Sequence, residues 1–325
     1  MTRNLKVFLV SFAVSMPIWW GMDLLSVNLE EFFFLQELRT NPQIIAAFAA
    51  QRDLDQRIQD AYPLAKKGNT QLQLPARSVL ALYIKEDGTT KVLFEKDSEI
   101  PLPIASITKL MTALVAIKNY PPEERITITP AILETPGEAG QLREGDVLTV
   151  RDLLYLALME SSNDAAVALT VPLGLKTFVS LMNKEATRLN LQNTVFENPT
   201  GLDTLSHGNL SNTADLAEFV RYLLDNYPQV FDILSQSELA LVTPDGIFHH
   251  KMQNTNELLG YYEWPTKTLG GKTGTTRQAR QTLLFLVESP TRQGYIINVI
   301  LGSEDRFEEM RQLLRWILKS YQWSR

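Results

Sequence analysis

The apolar positions of this chain change spacing along its length, and the changes mark out its elements. Residues 78–84 are a nearly unbroken run of strand formers. Asp87-Gly88 is a hairpin turn signal, and residues 91–95 read as the returning strand. Pro101 and Pro103 keep the chain extended before a helix that opens at Ser106. Ile107, Leu110, Met111, Leu114 and Ile117 cover more than one narrow stripe of that helix, which predicts burial on most sides. Residues 126–128 are a short extended piece, and residues 137–145 a loop. Thr149 and Asp152 form a capping box for a short apolar helix. A polar break at residues 159–164 interrupts it, and the helix resumes from Ala165 to Val171-Pro172. Residues 175–189 are an amphipathic helix with Phe178, Leu181, Met182 and Leu189 inward; residues 212–224 are another, and residues 229–234 a shorter one. Strands return around residues 239–248. Residues 268–276 are glycine-rich and read as an extended segment running into a turn, open to close backbone approach. Residues 282–288 and 295–301 are strand-like. Residues 304–321 close as a helix with Phe307, Met310, Leu314, Ile317 and Tyr321 on one face. Strands at both ends and helices between them predict an α/β sandwich of non-alternating, α+β order.

The amino terminus follows different rules. Residues 5–22 are apolar except for Lys6, Ser11 and Ser15; Arg3 lies before them and Asp23, Glu30 and Glu31 after. That asymmetry puts the amino terminus in the cytoplasm and the rest outside. The run ends in Trp19-Trp20-Gly21-Met22-Asp23, which suits a membrane interface and lacks a small-x-small cleavage site. An uncleaved anchor is therefore expected over a signal peptide. Residues 29–76 read as a spacer. In it Asn41-Pro42 starts an amphipathic helix through Ile44, Phe48, Leu54, Ile58 and Tyr62, ended by Gly68-Asn69. The expected organisation is an anchor over 1–28, a helical spacer over 29–76 and a main domain over 77–325, in the cell envelope.

Composition narrows the chemistry. The 325 residues are 45% hydrophobic and 21% charged, ample for a core, and the net charge of −6 argues against nucleic acid as a partner. With no cysteine, thiol chemistry, disulfides and cysteine-ligated zinc are excluded. Within the buried helix, Ser106 and Lys109 share one face. A hydroxyl beside an amine at a helix start is a candidate activated nucleophile. Alone, Ser-x-x-Lys carries little, since Ser106 can be a plain cap and Lys109 a solvated side chain. Two further polar sets stand out, Ser161-Ser162-Asn163 in the helix break and Lys272-Thr273-Gly274 in the glycine-rich segment. No G-x-S-x-G is present. The histidines are His207, His249 and His250, and the adjacent pair has no HExxH context, so it reads as structural or exposed rather than metal-binding. No metal or cofactor is assigned.

In this order and spacing the three sets match the S-x-x-K, S-x-N, K-T-G pattern of serine penicillin-binding proteins and related β-lactamases. Residues 104–113, 142–154, 162–166 and 197–203 extend the likeness. From about Arg77 onward the chain resembles the D-alanyl-D-alanine carboxypeptidase family of low-molecular-mass penicillin-binding proteins. The resemblance implies a β-lactamase/transpeptidase-like sandwich, an antiparallel sheet flanked by helices with a helical subdomain. It implies an envelope serine carboxypeptidase acting on peptidoglycan stem peptides that end in D-Ala-D-Ala, with β-lactams as covalent inhibitors. By the same resemblance Ser106 is the nucleophile and Lys109 the general base, its pKa lowered by burial and by Lys272. Ser161 relays protons to the leaving amine and Asn163 holds the substrate amide. Lys272, Thr273 and Gly274 serve the terminal carboxylate and the relay, and the backbone N–H groups of Ser106 and Thr275 form an oxyanion hole.

The chain also departs from the pattern. Too little follows Lys272 for a second domain, so the closing helix is expected in the core and membrane attachment at the amino terminus. Some members carry a carboxylate-binding arginine before K-T-G. Residues 253–257 hold none here, which leaves Arg277 and Arg280 as candidates that can equally be surface charges. A D,D-endopeptidase would use the same residues. A β-lactamase needs a further glutamate; Glu185 lies in an amphipathic helix and reads as solvated. A non-catalytic binding protein is the third alternative.

Overall fold

The computed structural model describes residues 63–323 other than 69, 70, 138 and 207, together with residues 12, 43, 45–47, 49–52 and 54. Two compact units separate, one running to Leu64 and one from Ala65 to Trp323. In the first, residues 43, 45–47, 49–52 and 54 are helical and exposed. Among the described residues no helix is long and apolar enough to cross a membrane. The apolar run at 5–22, which carries the anchor expectation, lies outside the described residues save for Phe12.

The second unit is built on a five-stranded antiparallel sheet. Its strands are β1 (Ser78–Lys85), β2 (Thr90–Lys96), β5 (Thr268–Thr276), β6 (Arg280–Glu288) and β7 (Gly294–Ser303), in the order β5-β6-β7-β1-β2. A separate hairpin, β3 (Glu238–Val242) with β4 (Phe248–Gln253), precedes β5. The sheet is covered on both faces, which is why β1, β6 and β7 read as continuous apolar runs rather than alternating ones. Leu80, Leu82, Leu284, Leu286, Ile297 and Val299 belong to the larger core cluster. Their neighbours Val79, Ala81, Leu283, Phe285, Ile296 and Ile300 belong to the second.

The helical block between β2 and β3 fills the larger cluster. A 3-10 turn (Ala105–Thr108) leads into α1 (Lys109–Asn119), buried from Lys109 through Ala116. Then come α2 (Val150–Tyr155), a π-helical turn (Leu156–Glu160), α3 (Asn163–Ala168), α4 (Leu175–Arg188), α5 (Thr213–Asn226) and α6 (Gln229–Leu234). The capping box at Thr149 and Asp152 is present. The polar break is narrower than expected. The π turn carries the helix through Met159 and Glu160, Asn163 and Asp164 already belong to α3, and only Ser161 and Ser162 lie between. The segment 268–276 likewise stays extended throughout, because it pairs with β6 from Thr268 to Thr276.

The closing helix, α7 (Arg306–Ser320), packs its Met310, Leu313, Leu314 and Ile317 in the second cluster. Leu74 and Ala76 are buried there too, and the Lys66 N–H donates to Ser320 O at 2.8 Å. The packed unit thus starts upstream of the boundary expected at Arg77. Glu309 fastens this end of the chain. Its buried carboxylate accepts from the Ala76 N–H at 2.7 Å and from the Ser303 hydroxyl at 2.5 Å. Glu309→Ala strands both donors, so it is expected to cost about 1–3 kcal/mol. Urea unfolding measures this, and an unchanged midpoint would show that the carboxylate holds nothing.

Candidate active site

Three segments meet at the edge of the sheet beside β5. Ser106 lies in the 3-10 turn and Lys109 at the first position of α1, one turn on, so the two side chains share a face. Lys109 is wholly buried. Its Nζ lies 2.9 Å from Ser106 Oγ, 2.7 Å from Asn163 Oδ1 and 2.9 Å from Thr200 O. Two of these partners are carbonyl oxygens and can only accept; the third, a hydroxyl, can also donate. A neutral amine has two N–H bonds and one lone pair. It satisfies all three contacts by giving its hydrogens to Asn163 and Thr200 and taking the Ser106 proton. Burial pushes the Lys109 amine well below its ordinary pKa, and the Lys272 charge lowers it further.

The second lysine is 1% exposed and contacts Ser161 Oγ at 2.9 Å and Thr273 O at 3.0 Å. Burial, then the nearby Arg306 cation, lower its pKa to about 7. Ser161 itself is left-handed, with φ +63°. Among the described residues neither lysine is hydrogen-bonded to a carboxylate, which leaves positive potential where an anionic group can bind.

Backbone shape brings these side chains together. Ala105, just before Ser106, has φ +49°, a conformation alanine seldom adopts. Two glycines hold that peptide from either side. A Cβ on Gly201 would lie 1.9 Å from Ala105 O, and one on Gly274 would lie 2.9 Å from Ser106 N. The turn that carries Gly201 is fixed by Asn198 Oδ1, which accepts from the N–H groups of Thr200 and Gly201. Asn209 braces it further, donating to Asn198 O at 2.8 Å and Thr108 Oγ1 at 2.9 Å. These contacts aim the Thr200 carbonyl at Lys109.

The sequence candidates Ser106, Lys109, Ser161, Asn163 and Lys272 are therefore brought together, and Gly274 packs against the Ser106 backbone. The side-chain amide of Asn163 is already engaged at both ends, by Lys109 and by Pro136 O at 2.7 Å. Thr273 is buried, with its hydroxyl 2.6 Å from that of Thr255. Thr255 thus occupies the segment searched for an arginine. The cation near K-T-G is Arg306, whose Nη1 reaches Gly274 O at 2.8 Å and Thr275 Oγ1 at 2.5 Å. Sequence reasoning missed it, since no motif marks the start of α7. Arg280 instead pairs with Glu304 at 3.3 Å, and Arg277 is exposed.

Glu185 pairs with Lys118 and Arg188, and Lys118 is nine residues along α1 from Lys109, roughly 14 Å. His250 is buried and His249 half-buried, and the two join a hydrogen-bonded chain. Among the described residues no three His, Cys, Asp or Glu side chains are placed to hold a metal ion.

A family model described as D-alanyl-D-alanine carboxypeptidase matches residues 66–305. The chain belongs to this family. Among relatives, it is 31% identical over 257 residues to a D-alanyl-D-alanine endopeptidase of Pseudomonas aeruginosa, covering 75% of this chain and 79% of that one. It is 35% identical over 228 residues to the D-alanyl-D-alanine carboxypeptidase DacD of Escherichia coli, covering 65% and 56%. Penicillin-binding protein D2 from Listeria monocytogenes, solved in an ampicillin-bound form, superposes with a TM-score of 0.65 at 28% identity. That match covers 77% of this chain and 100% of the Listeria one. The antiparallel sheet with its flanking helices is accordingly the fold of this peptidase family.

The buried Lys272 gives a pH signature of stability. Its folded pKa of about 7 lies below the ordinary 10.5, so between these values the unfolded chain binds more protons. The contribution of this group to stability therefore rises with pH from about 7 toward 10.5. Wild type is expected to gain denaturation midpoint relative to Lys272→Met over that window. A constant difference would mean that the amine is not held below its ordinary range.

Proposed function

We propose that this chain is a serine D-alanyl-D-alanine carboxypeptidase of the cell envelope, and that β-lactams acylate it. The observation that carries this reading is the set of three oxygens around Lys109 Nζ, of which only the Ser106 hydroxyl has a proton to give. In this mechanism Ser106 Oγ attacks the carbonyl between the two D-alanines while Lys109 takes its proton. The backbone N–H groups of Ser106 and Thr275 receive the oxyanion. Ser161, polarised by Lys272, relays the proton: it gives its own to the departing D-alanine nitrogen and takes up the one that Lys109 holds, which leaves the amine neutral again. Water then cleaves the Ser106 ester, returning the hydroxyl and releasing a stem peptide shorter by one D-alanine. Lys272 and the hydroxyls of Thr273 and Thr275 face the substrate carboxylate, with Arg306 as the cation that anchors it. Asn163 orients Lys109 and meets the substrate amide, and Gly274 lets the substrate strand approach.

A second reading, a D,D-endopeptidase cutting crosslinks, is favoured by the Pseudomonas relative, whose name states that activity and whose length matches over a larger share. Both substrates present a D-Ala carbonyl to the same serine. Incubating the full chain with a D-Ala-D-Ala peptide and, separately, with crosslinked muropeptide dimer separates the two by mass spectrometry. We further read residues 1–28 as the membrane anchor and the stretch up to the packed unit as its spacer. The support is the basic-before, acidic-after flanking of the apolar run. Carbonate extraction of membranes from cells expressing the chain with and without residues 1–28 tests this.

Ser106→Ala is expected to abolish both D-alanine release and covalent penicillin labelling, and Lys109→Ala to do the same in a folded protein. Labelling that survives either change would move the nucleophile or the base elsewhere. Arg306→Leu is expected to raise KM for the D-Ala-D-Ala peptide about tenfold or more with a smaller change in kcat, since it removes a charge-assisted contact to the carboxylate. An unchanged KM would return the role to another cation.

A further inference from the structure

One group of titratable side chains outside the Ser106 site is largely withdrawn from solvent and joined end to end. His249 Nδ1 and His250 Nδ1 are 2.7 Å apart. His249 Nε2 lies 3.0 Å from Asp146 Oδ2, and His250 Nε2 lies 2.9 Å from Glu160 Oε2. The imidazoles are 9% and 7% exposed, and their carboxylate partners 21% and 14%. Consecutive strand residues ordinarily point to opposite faces. Here the register slips: Leu241 pairs with His250 and Val242 with Phe248, leaving His249 as the extra residue of a bulge. A bulge re-aims a side chain, and this one lets the neighbouring rings face each other.

Counting protons fixes the state in which the chain of bonds is complete. Ionised carboxylates only accept, so both Nε2 atoms must donate. The contact between the two Nδ1 atoms needs one donor and one acceptor. Three ring protons are therefore required, one imidazolium and one neutral imidazole. A fourth proton sets N–H against N–H at 2.7 Å, and with only two, lone pair faces lone pair. The charged groups facing the pair are Asp146, before the short strand Val147–Thr149, and Glu160, on the π turn. The other charges of the hairpin are engaged elsewhere, Lys251 with Glu238 at 2.7 Å and Asp245 with Arg125 at 3.4 Å.

Glu160 immediately precedes Ser161. It closes the π turn, and Ser161 follows in the left-handed region. Both conformations are costly and persist only where neighbours enforce them. The enforcing contacts come from β4 and its continuation. His250 holds one oxygen of Glu160, the Gln253 N–H holds the other at 3.3 Å, and the Thr255 N–H donates to Met159 O at 3.0 Å.

We propose that His249 and His250 are positioning residues for Ser161, a strut that holds the serine against Lys272 only while the pair carries three ring protons. The inference rests on the proposed role of Ser161 in proton transfer.

The full chain contains three histidines, so ring nitrogen NMR on 15N-histidine-labelled protein, with His207→Gln to assign the third, reads the pair directly. Three ring protons, one of them shared between the Nδ1 atoms, are expected across the pH range of activity. Two neutral rings without a shared proton would overturn the proposal, whatever reaction the protein catalyses. For turnover, His250→Gln is expected to lower kcat about tenfold, as for loss of one charge-assisted hydrogen bond, with KM within twofold. Combined with Ser161→Ala it should cost nothing beyond Ser161→Ala alone. An additive loss, or a change confined to KM, would reduce the pair to structural support.

Discussion

The site depends on keeping an amine out of water with no carboxylate to compensate it. Lys109 is fully buried among a hydroxyl, a side-chain amide and a backbone carbonyl, and Lys272 is almost as deep, against a hydroxyl and a carbonyl. A paired ammonium would stay charged and be useless as a base. Neutral acceptors and desolvation favour the free amine instead. The cost of such burial is high and must be met by packing elsewhere. The two-sided sheet and the helical block supply that packing, since α1 is enclosed along most of its length.

A second constraint is spatial. The Ser106 turn is squeezed between the Gly201 turn and the β5 backbone at Gly274, with less room than a methyl group requires. Squeezing forces the positive φ of Ala105, and an Asn-rich turn around Asn198 and Asn209 keeps the arrangement from relaxing. Strain concentrated beside the reacting hydroxyl is thus upheld by hydrogen bonds set several residues away. Ser161 shows the same logic on the opposite side, where a π turn and a left-handed residue are tied to the β3–β4 hairpin.

The surroundings of K-T-G differ from the expected arrangement. Thr255 stands in the segment before K-T-G and pairs with Thr273, while the cation comes from Arg306, at the start of a helix distant in sequence. Glu185, tied into ion pairs at the far end of α1, is not near the nucleophile.

By itself the sequence determined most strands and helices and the pairing of Ser106 with Lys109 on one face, because each rests on local information, while the other three converging side chains were legible only through the family pattern. Apolar runs, capping residues such as Thr149 and Asp152, and the Ser-x-x-Lys spacing on one helical turn are all short-range. It also carried the family, since three weak motifs in fixed order outweigh any one of them. Tertiary structure alone decided what those side chains touch. The Thr200 carbonyl on Lys109, the Thr255 hydroxyl on Thr273 and the Arg306 guanidinium on Thr275 join residues many positions apart, and no periodicity encodes such meetings. The histidine pair makes the point most sharply. A single bulge turned two adjacent strand residues, which alternation would have sent to opposite faces, into one hydrogen-bonded chain, and a register slip depends on the partner strand rather than on the residues that slip.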